Sequence, residues 1–275
     1  MNSVSQLSNA RRVRTIACVA LASALTAVRG VNAMSSASRK AQAIGVAAAL
    51  ACVVVFAGAA SADEQVPFVG CKSDGQAGPV AAPKGAPKSV AIDAAAASQL
   101  AYYQAQDSFG VLAPRGWNCL YIYGSSGSTL VVSPTAVNRG LDVRLGGAGV
   151  VETLFDGGTS GRFDVAKYSA RLFAEPEQKF IAGVIAEGIE PKQNFPSGPY
   201  PADKLAYKTP LLVEFETPGN KDGLGTSDRL QKNAQPVLGM ATLKPDSNGP
   251  DFFLLAVRLP ANQAGLATAI ITQAE

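Results

Sequence analysis

The chain has 275 residues, near-average hydropathy, a formal charge of +3 and no histidine. Without histidine, Ser-His-Asp and Cys-His mechanisms cannot be assembled within the chain, because the base that takes the nucleophile's proton is missing. The commonest transition-metal ligand is missing for the same reason.

The charge is unevenly placed. Residues 1–62 hold Arg11, Arg12, Arg14, Arg29, Arg39 and Lys40 and no acid, so from Asp63 onward 18 basic residues face 21 acidic ones, a balance of −3. Phosphate binding needs a concentrated surplus of Lys and Arg, so a nucleic-acid partner is not expected. After Lys40 comes AQAIGVAAALACVVVFAGAASA, an apolar run ending in Ala60-Ser61-Ala62 just ahead of Asp63 and Glu64. Basic, apolar and A-x-A segments in that order predict a secretory signal peptide cleaved after Ala62. Counted from Met34 that leader has 29 residues, an ordinary length, which makes Met34 the expected start. The alternative is retention of the run at 41–60 as an anchor, since it approaches the roughly 18 apolar residues that span a bilayer. Small residues and the A-x-A site favour cleavage, with no stable membrane span afterwards and a periplasmic or secreted location. Cys52 and Cys71 superficially resemble lipidation sites. Cys71, however, lies beyond two charged residues, and Cys52 is followed by more apolar ones.

Cleavage removes Cys18 and Cys52, leaving Cys71 and Cys119. In an oxidising compartment the two are predicted to form a disulfide, for which the chain-entropy model gives roughly 4 kcal/mol. The rival, a redox or nucleophilic cysteine, lacks a C-x-x-C pair and a histidine.

Residues 63–90 are rich in Pro, Gly and Ala and predict an irregular arm, with an α+β domain over 91–275. In AIDAAAASQLAYYQAQ, Ile92, Ala96, Leu100 and Tyr103 have helical spacing, with Asp93 near the start. NCLYIYGSSGSTLVVS reads as a β-hairpin beside Trp117, whose expected role is core packing against the disulfide. GVVETLF predicts a strand, and FDVAKYSARLF and EPEQKFIAGVIAEGI predict two helices, the second with Pro176 in its first turn. Residues 190–210 are Pro-rich and longer than a usual connection. Phe195, Tyr200 and Tyr207, interleaved with Lys192, Lys204 and Lys208, form either a ligand-facing lid or a surface wrap that plugs the core. LLVEFET predicts a strand, PVLGMATLK and DFFLLAVRL a second hairpin, and ANQAGLATAIITQAE a terminal helix with Asn262 as its N-cap. Strands at both ends with helices between and after them imply a single α+β domain, a mostly antiparallel sheet with flanking helices.

No motif carries a recognisable chemistry, and no catalytic residue is nominated. FDGGTSGRF lacks the G-x-S-x-G of a nucleophile elbow and the Lys-Ser/Thr of a P-loop. It predicts a helix N-terminus capped by Thr159 or Ser160, with anion binding through Arg162 as the alternative. The Asp-rich turns GNKDG and PDSNGPD do not match calcium-loop spacing, so neither metal nor cofactor is expected. Glu214 and Glu216 face the same way on a strand, about 7 Å apart by the strand rise. That separation keeps open a histidine-independent hydrolase acting on an envelope or extracellular polymer.

At VPFVGC, APRGW, GGTSGRFDVAKYSARLF, VIAEGIEP, GPYPADKLAY, GLGT and LLAVRLP the chain resembles exported bacterial proteins without an assigned activity, over most of 66–275. GVLAPRGW and the closing FFLLAVRLP…IITQ are similar in layout to Mog1/PsbP-like α+β domains. The resemblance implies one domain behind a cleavable leader and carries no activity. The function expected is non-catalytic binding of an envelope ligand or partner protein, with Phe195, Tyr200, Lys204, Tyr207 and Arg162 as candidate binding residues.

Overall fold

The computed structural model describes residues 63–106, 108–137 and 143–275; the predicted leader, with Met34 and the Ala62 cleavage site, lies outside the described residues. The first elements are β1 (Asp63–Val66), β2 (Phe68–Gly75), β3 (Lys88–Ala91), α1 (Ala94–Gln99), β4 (Leu100–Ala105) and β5 (Gly110–Pro114). They are followed by β6 (Asn118–Gly124), β7 (Gly127–Ser133), β8 (Gly149–Phe155), α2 (Arg162–Leu172) and α3 (Gln178–Ala186). The chain continues through β9 (Lys204–Thr209), β10 (Leu212–Thr217), β11 (Val237–Lys244), β12 (Asp251–Arg258) and α4 (Ala267–Ala274).

Ten strands form one sheet in the order β5-β4-β2-β6-β7-β8-β12-β11-β10-β9, and β1 pairs with β3 in a small separate sheet. The α+β expectation, a mostly antiparallel sheet with flanking helices, is overturned. The domain is a large mixed sheet with minor helices, the longest of them α2 with 11 residues. The sheet is mixed because of β2. Its first half, Phe68–Cys71, runs parallel to β4, and its second half, Lys72–Gly75, runs parallel to β6. Residues 63–90, expected to be an irregular arm, thus supply β1, β3 and the strand that joins the two parts of the sheet.

The disulfide sits at that change of partner. Cys71 is the last residue of β2 to pair with β4, and Cys119 on β6 precedes Leu120, the partner of Lys72. The two Cα atoms are 5.4 Å apart, within the range a disulfide spans without backbone movement, and the bond is formed.

Both faces of the central strands are covered, which explains their continuous apolar runs. In β12 the residues from Phe252 to Arg258 are all buried. Leu130, Val132, Val150, Phe253, Leu255 and Val257 face one core together with α1, α4 and the β4–β5 hairpin. Val131, Val151, Phe252, Leu254 and Ala256 face a second core closed by Val165, Leu172 and Phe173 around α2. At roughly 1.5–3 kcal/mol for each large apolar side chain fully buried, these two layers supply most of the favourable free energy of folding.

The helix expected through Tyr103 is short. Asp93 Oδ1 accepts the Ala96 N–H at 2.8 Å, the N-cap that the sequence indicates. The other end is closed by Arg115, whose guanidinium donates to the carbonyls of Ala97 at 2.6 Å and Leu100 at 2.9 Å. From Leu100 the chain extends as β4, paired with β2 and β5. The Tyr103 hydroxyl donates to the Pro114 carbonyl at 2.7 Å and accepts the Trp117 N–H at 3.1 Å, fixing the second turn of this unit. At the C-terminus a 3-10 turn over Ala261–Leu266 precedes α4, so Asn262 does not cap the α-helix.

Candidate functional site

The residues nominated from sequence are not gathered at one cavity. Arg162 opens α2, and its Nε and Nη2 donate to the Glu187 carboxylate at 2.9 and 2.7 Å while Nη1 donates to the Thr159 carbonyl. Phe195 is buried against Ala166 and Val184, between α2 and α3. The Tyr200 ring lies under the Arg171 guanidinium, 3.9 Å from the ring centroid. Lys204 pairs with Glu216 at 2.9 Å, and the exposed Tyr207 donates its hydroxyl to the Leu172 carbonyl. Segment 190–210 is therefore divided between a core plug at Phe195 and the edge strand β9.

The two strand carboxylates are held in the same manner. Glu216 meets Lys204, and Glu214 meets Lys208 at 2.9 Å, which holds the Glu214 carboxyl below its ordinary range. Burial and the neighbouring Glu214 together push the Glu275 carboxyl up.

A pocket does form at the other end of the sheet, on the face covered by α2. Ile122, Thr129, Thr153 and Leu254 stand in register across β6, β7, β8 and β12. In the next row toward the β6–β7 turn, Gly124 and Gly127 pair with each other and Gly127 pairs with Phe155. Gly127, with φ near +137°, serves the close approach of the Leu154 backbone, where a Cβ has no room, and Gly124 leaves its end of the row without a side chain. A Cβ placed on Gly124 would meet only the Gln76 amide group, at 3.9 Å. The resulting cavity, about 250 Å³, is lined by Gln76, Ser126, Thr129, Thr153, Phe155 and Arg229 among others.

The glycine-rich loop after β8 forms one rim of this cavity. The Asp156 N–H donates to the Ser126 carbonyl at 3.1 Å, and Ser160 Oγ lies 3.2 Å from Ser125 Oγ. Gly161 packs directly on the Ser126 carbonyl and Gly157 on the Pro250 carbonyl, positions where a Cβ has no room. These glycines serve close backbone approach, with the loop wedged between two hairpin turns. Thr159 Oγ1 accepts the Gly161 N–H at 3.3 Å, while Gly161 at the head of α2 has no side-chain cap. Thr159 thus covers one N–H at this turn, and Ser160 instead ties the loop to the β6–β7 turn.

At the floor, Thr153 Oγ1 donates to Asp228 Oδ2 at 2.6 Å and lies 3.2 Å from Thr129 Oγ1. Arg229 Nε lies 3.3 Å from Asp228 Oδ1, and the Arg144 guanidinium donates to the Asp228 carbonyl at 2.8 Å. Burial pushes the Asp228 carboxyl up, and the Thr153 hydroxyl with the Arg229 and Arg144 charges pull it back. Behind it the Tyr168 and Ser227 hydroxyls lie 3.1 Å apart, with burial holding the Tyr168 hydroxyl protonated well above its ordinary range. The network orients hydroxyl groups around one neutralised carboxylate, an arrangement suited to accepting and donating hydrogen bonds. From sequence, Glu152-Thr153 in the middle of GVVETLF is the visible signal, a polar pair where strand packing alone calls for apolar residues. Asp228 lies in a loop that gives no such signal.

The larger groove between α1 and α4, about 470 Å³, has one ionisable lining residue, Asp93, which is engaged in capping α1. No cluster of three or more potential metal ligands occurs among the described residues. No helix among them is long and apolar enough to cross a membrane. Comparison with protein-family models, with curated proteins and with solved structures finds no match for the chain.

Proposed function

We propose that the protein is an exported binding domain, periplasmic or secreted, that holds a small envelope ligand in the pocket between the β6–β7 turn, Thr153 and Arg229 without transforming it. The observation that carries this reading is the cavity left open at Gly124 beside a pre-formed polar floor. Pockets of this kind, walled by apolar and aromatic side chains with a few fixed polar groups, are where ligands are held. The disulfide between Cys71 and Cys119 accords with export, since such bonds persist in oxidising compartments.

The test is native mass spectrometry of the protein isolated from the envelope or medium, beside the variant Gly124→Leu. A Cβ at Gly124 meets only the Gln76 amide group, so leucine is expected to occupy the cavity there. The expected result is a bound small molecule on the wild type and none on the variant. Equal occupancy of both proteins would sink the assignment to this pocket. The same spectra, before and after reduction and alkylation, test export: a chain beginning at Asp63 with both cysteines protected is expected, and a longer chain with free thiols would contradict it.

A further inference from the structure

The chemistry of the lining narrows the ligand class, and the argument rests on the pocket reading above. The guanidinium at the floor, Arg229, is 3.3 Å from Asp228, so the pair presents no net charge to the cavity. The second oxygen of Asp228 is engaged by Thr153. An anionic ligand would be brought close to Asp228 and to Asp156, whose Oδ1 accepts the Gly158 N–H on the rim at 2.8 Å. A cationic ligand would meet Arg229 at the floor. A wholly apolar ligand would desolvate the exposed Ser125 and Ser126 hydroxyls and the Gln76 amide without replacing their water hydrogen bonds, which is unfavourable for each group.

A neutral polyhydroxylated ring satisfies all three constraints. Each Ser or Thr hydroxyl both donates and accepts, and so does each hydroxyl of a sugar, so the two sets pair whichever way the protons turn. Ser125 and Ser126 at the turn supply such groups, with Thr129 below them, and Gln76 adds an amide at the mouth. Phe155 provides an apolar surface for the C–H face of a ring, and Ile122, on the same face of the sheet, adds to it. The size agrees: about 250 Å³ falls below the roughly 300–1,000 Å³ of pockets that enclose drug-sized ligands, which leaves room for one ring and not for a chain. We infer that the pocket takes a single neutral pyranose, a free monosaccharide or the terminal residue of a glycan.

Amide chemical-shift titration tests this, with Gly124, Gly127 and Thr153 as reporters and four probes that share one ring. The probes are D-glucose and N-acetyl-D-glucosamine, both neutral, D-glucuronate, which is anionic, and D-glucosamine, which is cationic. Saturable shifts at the three reporters are expected for at least one neutral sugar, with the charged probes about tenfold or more weaker. The shifts should vanish in Gly124→Leu, whose spectrum is otherwise expected to match the wild type. Tighter binding of glucuronate or glucosamine at the same reporters would overturn the neutral-sugar assignment while leaving the pocket as a binding site. Silence from all four probes, combined with an endogenous ligand lost in Gly124→Leu, would also overturn the sugar class alone. Silence combined with equal endogenous occupancy of both proteins would remove the pocket itself. N,N′-diacetylchitobiose separates the two sources of the favoured ligand: binding as tight as that of N-acetylglucosamine marks a chain end, and much weaker binding marks a free sugar.

Discussion

Glu152 and Thr153 are consecutive residues of β8 that point to opposite faces of the sheet, and they show two outcomes of burying a polar side chain. Thr153 enters the core beneath α2 and finds Asp228 at 2.6 Å and Thr129 at 3.2 Å. Glu152 enters the other core, flanked in register by Leu130 and Leu255, is 6% exposed, and its Oε2 has no hydrogen-bond partner among the described residues. Burial pushes the Glu152 carboxyl up to about 7 against a distant pull from Lys244, and its charge adds to the burial that raises the Tyr102 hydroxyl. The strand is the same, so the difference comes from what the opposite layer offers. One layer supplies a loop with a carboxylate and hydroxyls, and the other supplies aliphatic side chains and tyrosine rings.

Four measurements break or sharpen this contrast. The largest effect is expected from the bond that locks β2 beside Cys119 on the Glu152 face. The double variant Cys71→Ser/Cys119→Ser is expected to lose about 4 kcal/mol in denaturant unfolding, and reduced wild type should behave like it. A loss confined to the variant, absent on reduction, would attribute the effect to the serines. The next concerns Glu152. Its folded-state pKa is raised from 4.5 to about 7, so its contribution is fully present below pH 4.5 and is lost as pH rises to 7. That loss amounts to about 3 kcal/mol. Glu152→Gln should remove this pH dependence and be the more stable protein at pH 8, as read from denaturant midpoints between pH 4 and pH 8; parallel profiles would show that the carboxyl has a partner in solution.

On the other face, Thr153→Val leaves Asp228 without its closest donor and is expected to destabilise by about 1–3 kcal/mol. The two neighbouring substitutions should therefore have opposite signs above pH 7. The smallest effect belongs to Gly124→Leu, expected to keep its Tm within a degree or two of the wild type (less than about 0.5 kcal/mol) while closing the pocket. A cooperative loss of stability there would mean that the space at Gly124 serves the fold and not a ligand.

Much of the sheet was legible because its strands are long apolar runs separated by turn residues: GSTLVVS, GVVETLF, VLGMATLK and DFFLLAVR all lie where the pattern places strands. The α+β class failed at the segments whose structure is decided by distant partners. LAYYQA continues the spacing of an alanine-rich helix, and only pairing with β2 and β5, with Arg115 closing α1, draws it into β4. KLAYKT sits among prolines with nearly every side chain exposed, so no burial pattern reveals β9 before β10 is in place beside it. β2 is less legible still, since a strand that changes partner midway and is parallel to both leaves no hairpin signal. The candidate site divides in the same way. Its glycines and threonines lie in readable strands, whereas Asp228 and Arg229 reach it through a loop.

Glu152 also carries a calorimetric consequence. Near pH 6 the folded protein holds this carboxyl largely protonated while the unfolded chain has released it, so folding takes up about one proton from the buffer. The unfolding enthalpy measured there includes the heat of protonating the buffer, and scans in phosphate and in an amine buffer should differ by that heat. In Glu152→Gln the difference between the two scans should shrink by that amount.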